Sequence, residues 1–278
     1  MNNRKKNGHK LLRIPVLSDG TLCNISSMSN ISDTHRISLN EIMLSIRAIL
    51  VNRRYIVYLR GSLAYGGFIT GISDIDMIII VSEKIDGIEE QLAILASEYS
   101  RKFREWCSLV DISIYTNEEV LLPQNNRLYL NITLTGVALF IHGLKPNYPL
   151  PILNSELKER IIRQTLKDCY HTLDLICKHK PITYMGELRG ADFLCVWFIR
   201  DFLRGTIAFV MEEQQCFSLH VQTCAILFSL QYPEYAKLTE RLTKAECNPP
   251  GDWRLVESLA NDAIEIYIAL ATQTVIQC

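Results

Sequence analysis

The run IDMIIIV at positions 75–81 constrains the fold of this chain more than any other segment. Its β-branched residues favour a buried strand, and Asp74 stands directly before it. Because side chains alternate along an extended strand, Asp74 and Asp76 point to one face, and Ile75 and Met77 point to the other, toward a core. The segment therefore predicts a strand that begins with a pair of neighbouring carboxylates.

The preceding segment adds a second chemical feature. Tyr55 to Leu59 is rich in β-forming residues and predicts a strand, and Gly61-Ser62 then turns the chain into a short helix. Backbone N–H groups at such a turn suit phosphate oxygens, and glycine allows close approach because it has no Cβ. We therefore expect a phosphate-binding turn beside the carboxylate pair.

A third carboxylate, Asp111, lies in the alternating segment 109–115, which predicts the next strand after a helix over 87–106. Adjacent carboxylates repel one another unless a cation lies between them, and Mg²⁺ binds carboxylates together with substrate phosphates. Three carboxylates beside a phosphate-binding turn suit two-metal phosphoryl transfer.

The rest of the N-terminal half alternates between helix and strand signals. Ser38, with Glu41 three residues later, predicts a helix start, and 137–141 predicts a short strand. A strand pair is expected near residues 11–17 and 21–25, and a helix after Pro123 and Asn125. These patterns predict a mixed sheet packed with helices.

Prolines 146, 149 and 151 mark a boundary, after which apolar residues recur at helical spacing and no strand is expected. The predicted helices are 157–178, 188–211, 219–230 and 253–272. The fold class is therefore α+β: an N-terminal extension over 1–37, a mixed-sheet domain over 38–150 and a helical bundle over 151–278.

The charge and the composition of the chain limit the classes of molecule that it is expected to bind. The formal net charge of −1 argues against a protein whose whole surface binds nucleic acid. The basic residues near the N-terminus are expected to form a solvated tail, with help in holding RNA as the alternative. No apolar run is long enough to span a bilayer and no secretory signal is recognised, so we expect a cytoplasmic protein without a membrane partner.

Nine cysteines, an odd number with no CxxC pair, favour buried thiols in a reducing compartment over a disulfide framework. The alternative is a metal cluster that includes Cys169, His171 and Cys177, although their spacing matches no zinc pattern.

Gly61-Ser62, an eleven-residue gap, Asp74-x-Asp76 and the later Asp111 together resemble the signature of the DNA polymerase β-like nucleotidyltransferases. Within that superfamily the chain is similar to small bacterial aminoglycoside adenylyltransferases and to minimal nucleotidyltransferases of toxin–antitoxin pairs. The motifs span residues 55–115, and the likeness extends to about 145; the helical half resembles the family in architecture alone.

The resemblance implies that ATP or another NTP is the donor, that Mg²⁺ is the cofactor and that the acceptor hydroxyl receives a nucleoside monophosphate. It further implies that Asp74 and Asp76 bind metal, that Asp111 binds a second metal or accepts the proton, and that Gly61 and Ser62 hold phosphates. The best single acceptor is a small aminoglycoside-like antibiotic. The alternatives are a tRNA or protein acceptor, and a nucleotide-binding module without catalysis. The oligomeric state is open.

Further residues are candidates with structural alternatives. Ser73 is a cofactor-binding candidate whose alternative role is to support the loop. Arg200 and Arg204 lie one helical turn apart and share a face that is expected to bind phosphate or an anionic acceptor. The alternatives are exposure to solvent and ion pairs with Asp201, Glu212 or Glu213. Three acids are candidates for lining a pocket for a cationic acceptor: Glu187, Asp192 and Asp201.

Overall fold

The computed structural model describes residues 11–71, 73–121, 130, 132–148, 152–184 and 187–276. The chain divides into two units. We call Thr21–Ile152 the sheet unit, and Leu153–Cys278 together with Met1–Gly20 the helical unit. The helix expected just after Pro123 and Asn125 falls largely on residues 122–129, outside the described residues.

The strands are β1 (Ile14–Pro15), β2 (Tyr55–Arg60), β3 (Ile75–Val81), β4 (Val110–Thr116), β5 (Leu139–His142), β6 (Ile182–Tyr184), β7 (Glu187–Arg189) and β8 (Cys216–Phe217). The α-helices are α1 (Asp33–Ile49), α2 (Ser62–Tyr65), α3 (Ile88–Lys102), α4 (Asn117–Leu121), α5 (Ser155–Cys177), α6 (Ala191–Gly205), α7 (Met211–Gln214), α8 (Val221–Gln231), α9 (Ala236–Cys247) and α10 (Trp253–Ile276). The expected α+β class is confirmed.

The sheet unit is built on a mixed sheet with strand order β4-β3-β2-β5. Strand β3 pairs in parallel with β4 and antiparallel with β2, and β2 pairs antiparallel with β5. A parallel pair needs a crossover, which α3 supplies between β3 and β4. Two of the three candidate acids, Asp76 and Asp111, therefore lie on neighbouring strands.

Both faces of this sheet are covered, which explains why β3 is almost wholly apolar. Ile75, Met77 and Ile79 are fully buried in a core that α1 and α3 share, as the alternation predicted. Ile78 and Ile80 belong to a smaller core on the opposite face, together with Tyr58. Asp76 lies two and four residues before Ile78 and Ile80 in the strand, so its side chain points to that second face.

Helix α1 begins earlier than the sequence predicted. Ser32 is its N-cap and accepts the His35 N–H at 3.4 Å. Ser38 lies inside the helix, is 7% exposed and donates to the Thr34 carbonyl. The predicted start at Ser38 was wrong. The true first turn, which follows the N-cap Ser32, is mostly polar, so the apolar residues at helical spacing begin only after it.

The helical unit also contains strands, contrary to the sequence prediction. Strands β6 and β7 pair antiparallel as a hairpin, and β1 pairs with β8. The strand pair expected between the segments near residues 14 and 23 is wrong, because Ile14 pairs with Phe217 and Thr21 bridges to Ile152. Such short segments carry too few residues to show an alternating pattern.

Helix α9 was not predicted. It buries Leu238, Thr239 and Leu242, and most of its other residues are polar, so its apolar residues are too few to predict a helix from the sequence. Among the helices that the structure describes, none is long and apolar enough to cross a membrane.

Candidate functional site

Three charged residues form a row across neighbouring strands of the sheet unit. Arg60, the last residue of β2, is in register with Asp76 of β3, and Asp76 is in register with Asp111 of β4. Residues in register on adjacent strands present their side chains to the same face, a few ångströms apart. The row therefore brings two of the three predicted acids together, and adds a cation that the sequence analysis missed.

One nitrogen joins the two carboxylates. Arg60 Nη2 lies 3.4 Å from Asp76 Oδ1 and 3.3 Å from Asp111 Oδ2. The side chains of the row are 24–36% exposed, so they lie at the rim of the core. Burial alone would lower the pKa of the Arg60 guanidinium, but Asp76 and Asp111, with Tyr115, outweigh it and raise that pKa above its usual value. Arg60 is therefore a fixed positive charge.

Gly61 places the following turn directly against Asp76. Its φ is +76°, in the range that favours glycine, and it precedes α2, which begins at Ser62. A Cβ at this position would stand closer to Asp76 Oδ2 than real Cβ contacts allow, and 3.3 Å from Asp76 Cγ. The predicted Gly61-Ser62 turn thus lies next to the carboxylate of Asp76.

Asp74 and Ser73 belong to the loop that leads into β3. Asp74 Oδ1 accepts a hydrogen bond from the Ser108 hydroxyl, at the start of the segment that leads into β4. Ser73 Oγ accepts the Ile69 N–H at 2.9 Å, and the Ser73 carbonyl accepts the Ser108 N–H at 3.1 Å. The contacts of Ser73 are those of a loop support, while its contact with a nucleotide stays a prediction.

The donor set suits a hard divalent cation. Carboxylate oxygens are what Mg²⁺ prefers, and Asp76 and Asp111 already converge on a positively charged nitrogen. In the described part of the chain, no group of three His, Cys, Asp or Glu side chains stands ready to hold a metal ion. Asp74 is engaged with Ser108, and Arg60 lies between the other two carboxylates. Residues of the right type are therefore present, and a cation of the protein itself holds two of them.

We expect Gly61→Ala to destabilise the protein and to displace Asp76. The substitution forces a side chain into a strained backbone conformation, which costs about 1–3 kcal/mol, and pushes against the Asp76 carboxylate. Gly87→Ala is the matched control, because Gly87 also has a positive φ, of 71°, but a Cβ there would meet nothing within 4 Å. Thermal melts of both variants measure the difference; equal losses would mean that the close approach to Asp76 is unimportant.

The structure gives Arg200 and Arg204 partners inside the helical unit. Arg200 Nε lies 2.9 Å from Glu246 Oε1 of α9, and Glu246 is largely buried. Arg204 Nε donates to the Leu219 carbonyl at 3.1 Å. The sequence analysis considered ion pairs with other acids, but it missed Glu246 because α9 was not predicted. A phosphate-binding role for either arginine stays a prediction.

Acids on the facing helices α5 and α6 lie close together. Burial, with help from Asp168, raises the pKa of Asp201 to about 6, although Arg204 and the Trp197 N–H oppose the rise. Burial likewise raises the pKa of Asp168, whose two oxygens accept from the Gln164 amide. Of the three candidate pocket acids, Asp201 is thus partly buried. Asp192 lies in the first turn of α6, and the side chain of Glu187 is outside the described residues.

Family models match no part of the chain, and comparison with curated proteins gives no match. Among solved structures, the crystal structure of spectinomycin adenyltransferase AAD(9) from Enterococcus faecialis, with ATP and spectinomycin, matches with a TM-score of 0.53. The match covers 84% of this chain and 98% of that chain, at 17% sequence identity. This chain has a nucleotidyltransferase fold. The nucleotidyltransferase fold implied by the Gly-Ser and Asp-x-Asp motifs is thereby confirmed.

Proposed function

We propose that the protein is a metal-dependent nucleotidyltransferase that moves AMP from ATP to a hydroxyl group and releases pyrophosphate. One observation carries the proposal: Asp76 and Asp111, on adjacent strands, converge on one nitrogen beside the Gly61-Ser62 turn. Anionic side chains that converge next to a turn with no room for a Cβ suit a triphosphate that arrives with its cation.

Each residue of the site has a role in this proposal. Asp74 and Asp76 would hold Mg²⁺, which when bound would neutralise charge that develops on the phosphates. The N–H groups of the Gly61-Ser62 turn orient the triphosphate. Asp111 accepts the proton of the attacking hydroxyl. The acceptor oxygen then forms its bond to the α-phosphorus, and the bond from that phosphorus to the pyrophosphate oxygen breaks, so pyrophosphate leaves with the electron pair.

The acceptor that we propose is a small hydroxylated molecule that carries positive charge, as aminoglycoside-like antibiotics do. The structural neighbour AAD(9) was solved with ATP and an antibiotic, which agrees with an acceptor of this kind.

Pyrophosphate release with ATP·Mg²⁺ tests the proposal across a panel of acceptors. The panel contains cationic aminoglycosides and aminocyclitols, a lincosamide, bulk tRNA and a protein mixture. We expect release that depends on one of the cationic small molecules. Release with tRNA or protein alone would replace the acceptor class, and no release with any acceptor would contradict the transfer itself.

One observation favours a second candidate, a nucleotide-binding module without catalysis. Arg60 contacts Asp76, to which we assign the metal, and Asp111, to which we assign the proton, and a guanidinium fixed there permanently would keep the metal from Asp76. Such a module binds ATP in calorimetry and releases no pyrophosphate with any acceptor, whereas the transferase does both.

A further inference from the structure

We propose that Arg60 is the resident cation of the site: it holds Asp76 and Asp111 together and keeps free divalent ions out until the nucleotide delivers its own metal. This inference rests on the proposed function, since it concerns how Asp76 receives the metal that we assign to it. It predicts that the metal enters bound to ATP and not before it.

The position of the guanidinium supports the inference. The same nitrogen, Arg60 Nη2, contacts one oxygen of Asp76 and one of Asp111, at 3.4 and 3.3 Å. A metal held by Asp76 would have to come closer to this carboxylate than Arg60 does, at the distance of about 2.0–2.1 Å that Mg²⁺ requires. Arg60 and a divalent ion therefore compete for the Asp76 carboxylate.

The register of the sheet explains why Arg60 lies beside both carboxylates. Arg60 is directly opposite Asp76, and Asp76 is directly opposite Asp111. The arginine also immediately precedes Gly61, so the residue that neutralises the carboxylates is tied to the turn that we assign to the phosphates. A guanidinium stays protonated at any physiological pH. The Arg60 side chain therefore has to move away from the carboxylates before a metal can bind, because it cannot lose its charge.

The described contacts of Arg60 also explain how it can be displaced. Its Nε is buried and has no hydrogen-bond partner among the described residues. Both described carboxylate contacts are longer than a typical charge-assisted hydrogen bond, for which about 2.7–2.9 Å is usual. A hydrated free ion gains too little to displace the arginine, whereas ATP·Mg²⁺ brings phosphate ligands and further contacts at the turn.

The test is a titration of Mn²⁺ alone, without nucleotide, into the wild-type protein and into Arg60→Met. We expect weak binding to the wild type and binding that is about ten-fold or more tighter to Arg60→Met, because a positive charge in contact with both carboxylates is gone. Arg53→Met is the matched control: Arg53 of the same unit forms an exposed ion pair with Glu83, so this variant should bind Mn²⁺ as weakly as the wild type does. Equal Mn²⁺ affinity in Arg60→Met and the wild type would overturn the inference.

A second measurement keeps the inference testable if Arg60→Met does not fold. Thermal melting of the wild type is compared with Mn²⁺ alone, with ATP alone and with both. We expect a clear rise in Tm only with both, and a rise of equal size with Mn²⁺ alone would contradict the inference.

Arg60→Lys keeps the positive charge but loses the planar fork of the guanidinium. Its affinity for Mn²⁺ should lie between that of the wild type and that of Arg60→Met.

These outcomes separate the inference from the proposed function. Tighter Mn²⁺ binding by Arg60→Met, without pyrophosphate release from the wild type on any acceptor, would support the resident cation and contradict transfer. Pyrophosphate release by the wild type, with unchanged Mn²⁺ affinity in Arg60→Met, would support transfer and overturn the inference.

Discussion

Asp76→Asn is expected to abolish nucleotidyl transfer while the protein stays folded. Asp76 is the central member of the row: it lies in register with both Arg60 and Asp111 and directly beside Gly61. Asparagine keeps the shape of the side chain but removes the charge that we assign to metal binding. Since few protein ligands are available, losing one charge should reduce pyrophosphate release to the background and weaken the affinity for ATP·Mg²⁺.

The control for this variant is Asp86→Asn, which changes an exposed acid of the same unit outside the row. Asp86→Asn should keep both the rate and the Tm of the wild type. The effect of Asp76→Asn on the Tm should be small, because the substitution removes one contact of Arg60 but leaves that of Asp111. Normal pyrophosphate release by a folded Asp76→Asn protein would contradict the assignment of Asp76.

The second large effect is expected for Asp111→Asn. The amide cannot accept the proton of the attacking hydroxyl, and general-base help is typically worth about 10²–10⁴-fold in rate, so we expect kcat to fall by about that range. Asp74 and Asp76 remain to hold the metal of the nucleotide, so the affinity for ATP·Mg²⁺ should be near that of the wild type. Asp111→Asn and Asp76→Asn therefore differ in nucleotide affinity, although both lose turnover.

Calorimetry of ATP·Mg²⁺ beside the rate of pyrophosphate release, on the same preparation, measures both quantities for Asp111→Asn. A variant that turns over normally would show that Asp111 is an ordinary strand residue. A variant that loses ATP binding as completely as Asp76→Asn does would assign Asp111 to the metal of the nucleotide and leave the general base unassigned.

Strand β3 and the acids could be predicted because their signals are local. IDMIIIV is apolar enough to be buried on both faces, and its observed bounds, Ile75–Val81, are those that the sequence predicted. The alternation of side chains placed Ile75 and Met77 in the core and Asp76 on the opposite face. The positive φ of Gly61 and its close approach to Asp76 are reasons for glycine that the sequence analysis did not give, since it expected glycine there for contact with phosphate.

Arg60 and Ser108 were missed because their roles depend on strand register, which no local pattern determines. A signal was present: Arg60 is a charged residue at the end of an otherwise apolar strand, and its side chain is on the same face as that of Tyr58, two residues earlier. Only the pairing of β2 with β3 shows that it stands opposite Asp76. In the same way, the partner of Arg200 is Glu246, which lies 46 residues away on a helix with too sparse an apolar period to predict.

Transfer of label from ATP is the most direct test of the central claim. ATP labelled at the α-phosphorus and ATP labelled at the γ-phosphorus are each incubated with Mg²⁺, the protein and the acceptor that supports pyrophosphate release. A nucleotidyltransferase places the α-label on the acceptor and leaves the γ-label in pyrophosphate, and both results should disappear in Asp76→Asn. Transfer of the γ-label to the acceptor, or no transfer of either label to any acceptor of the panel, would contradict the account.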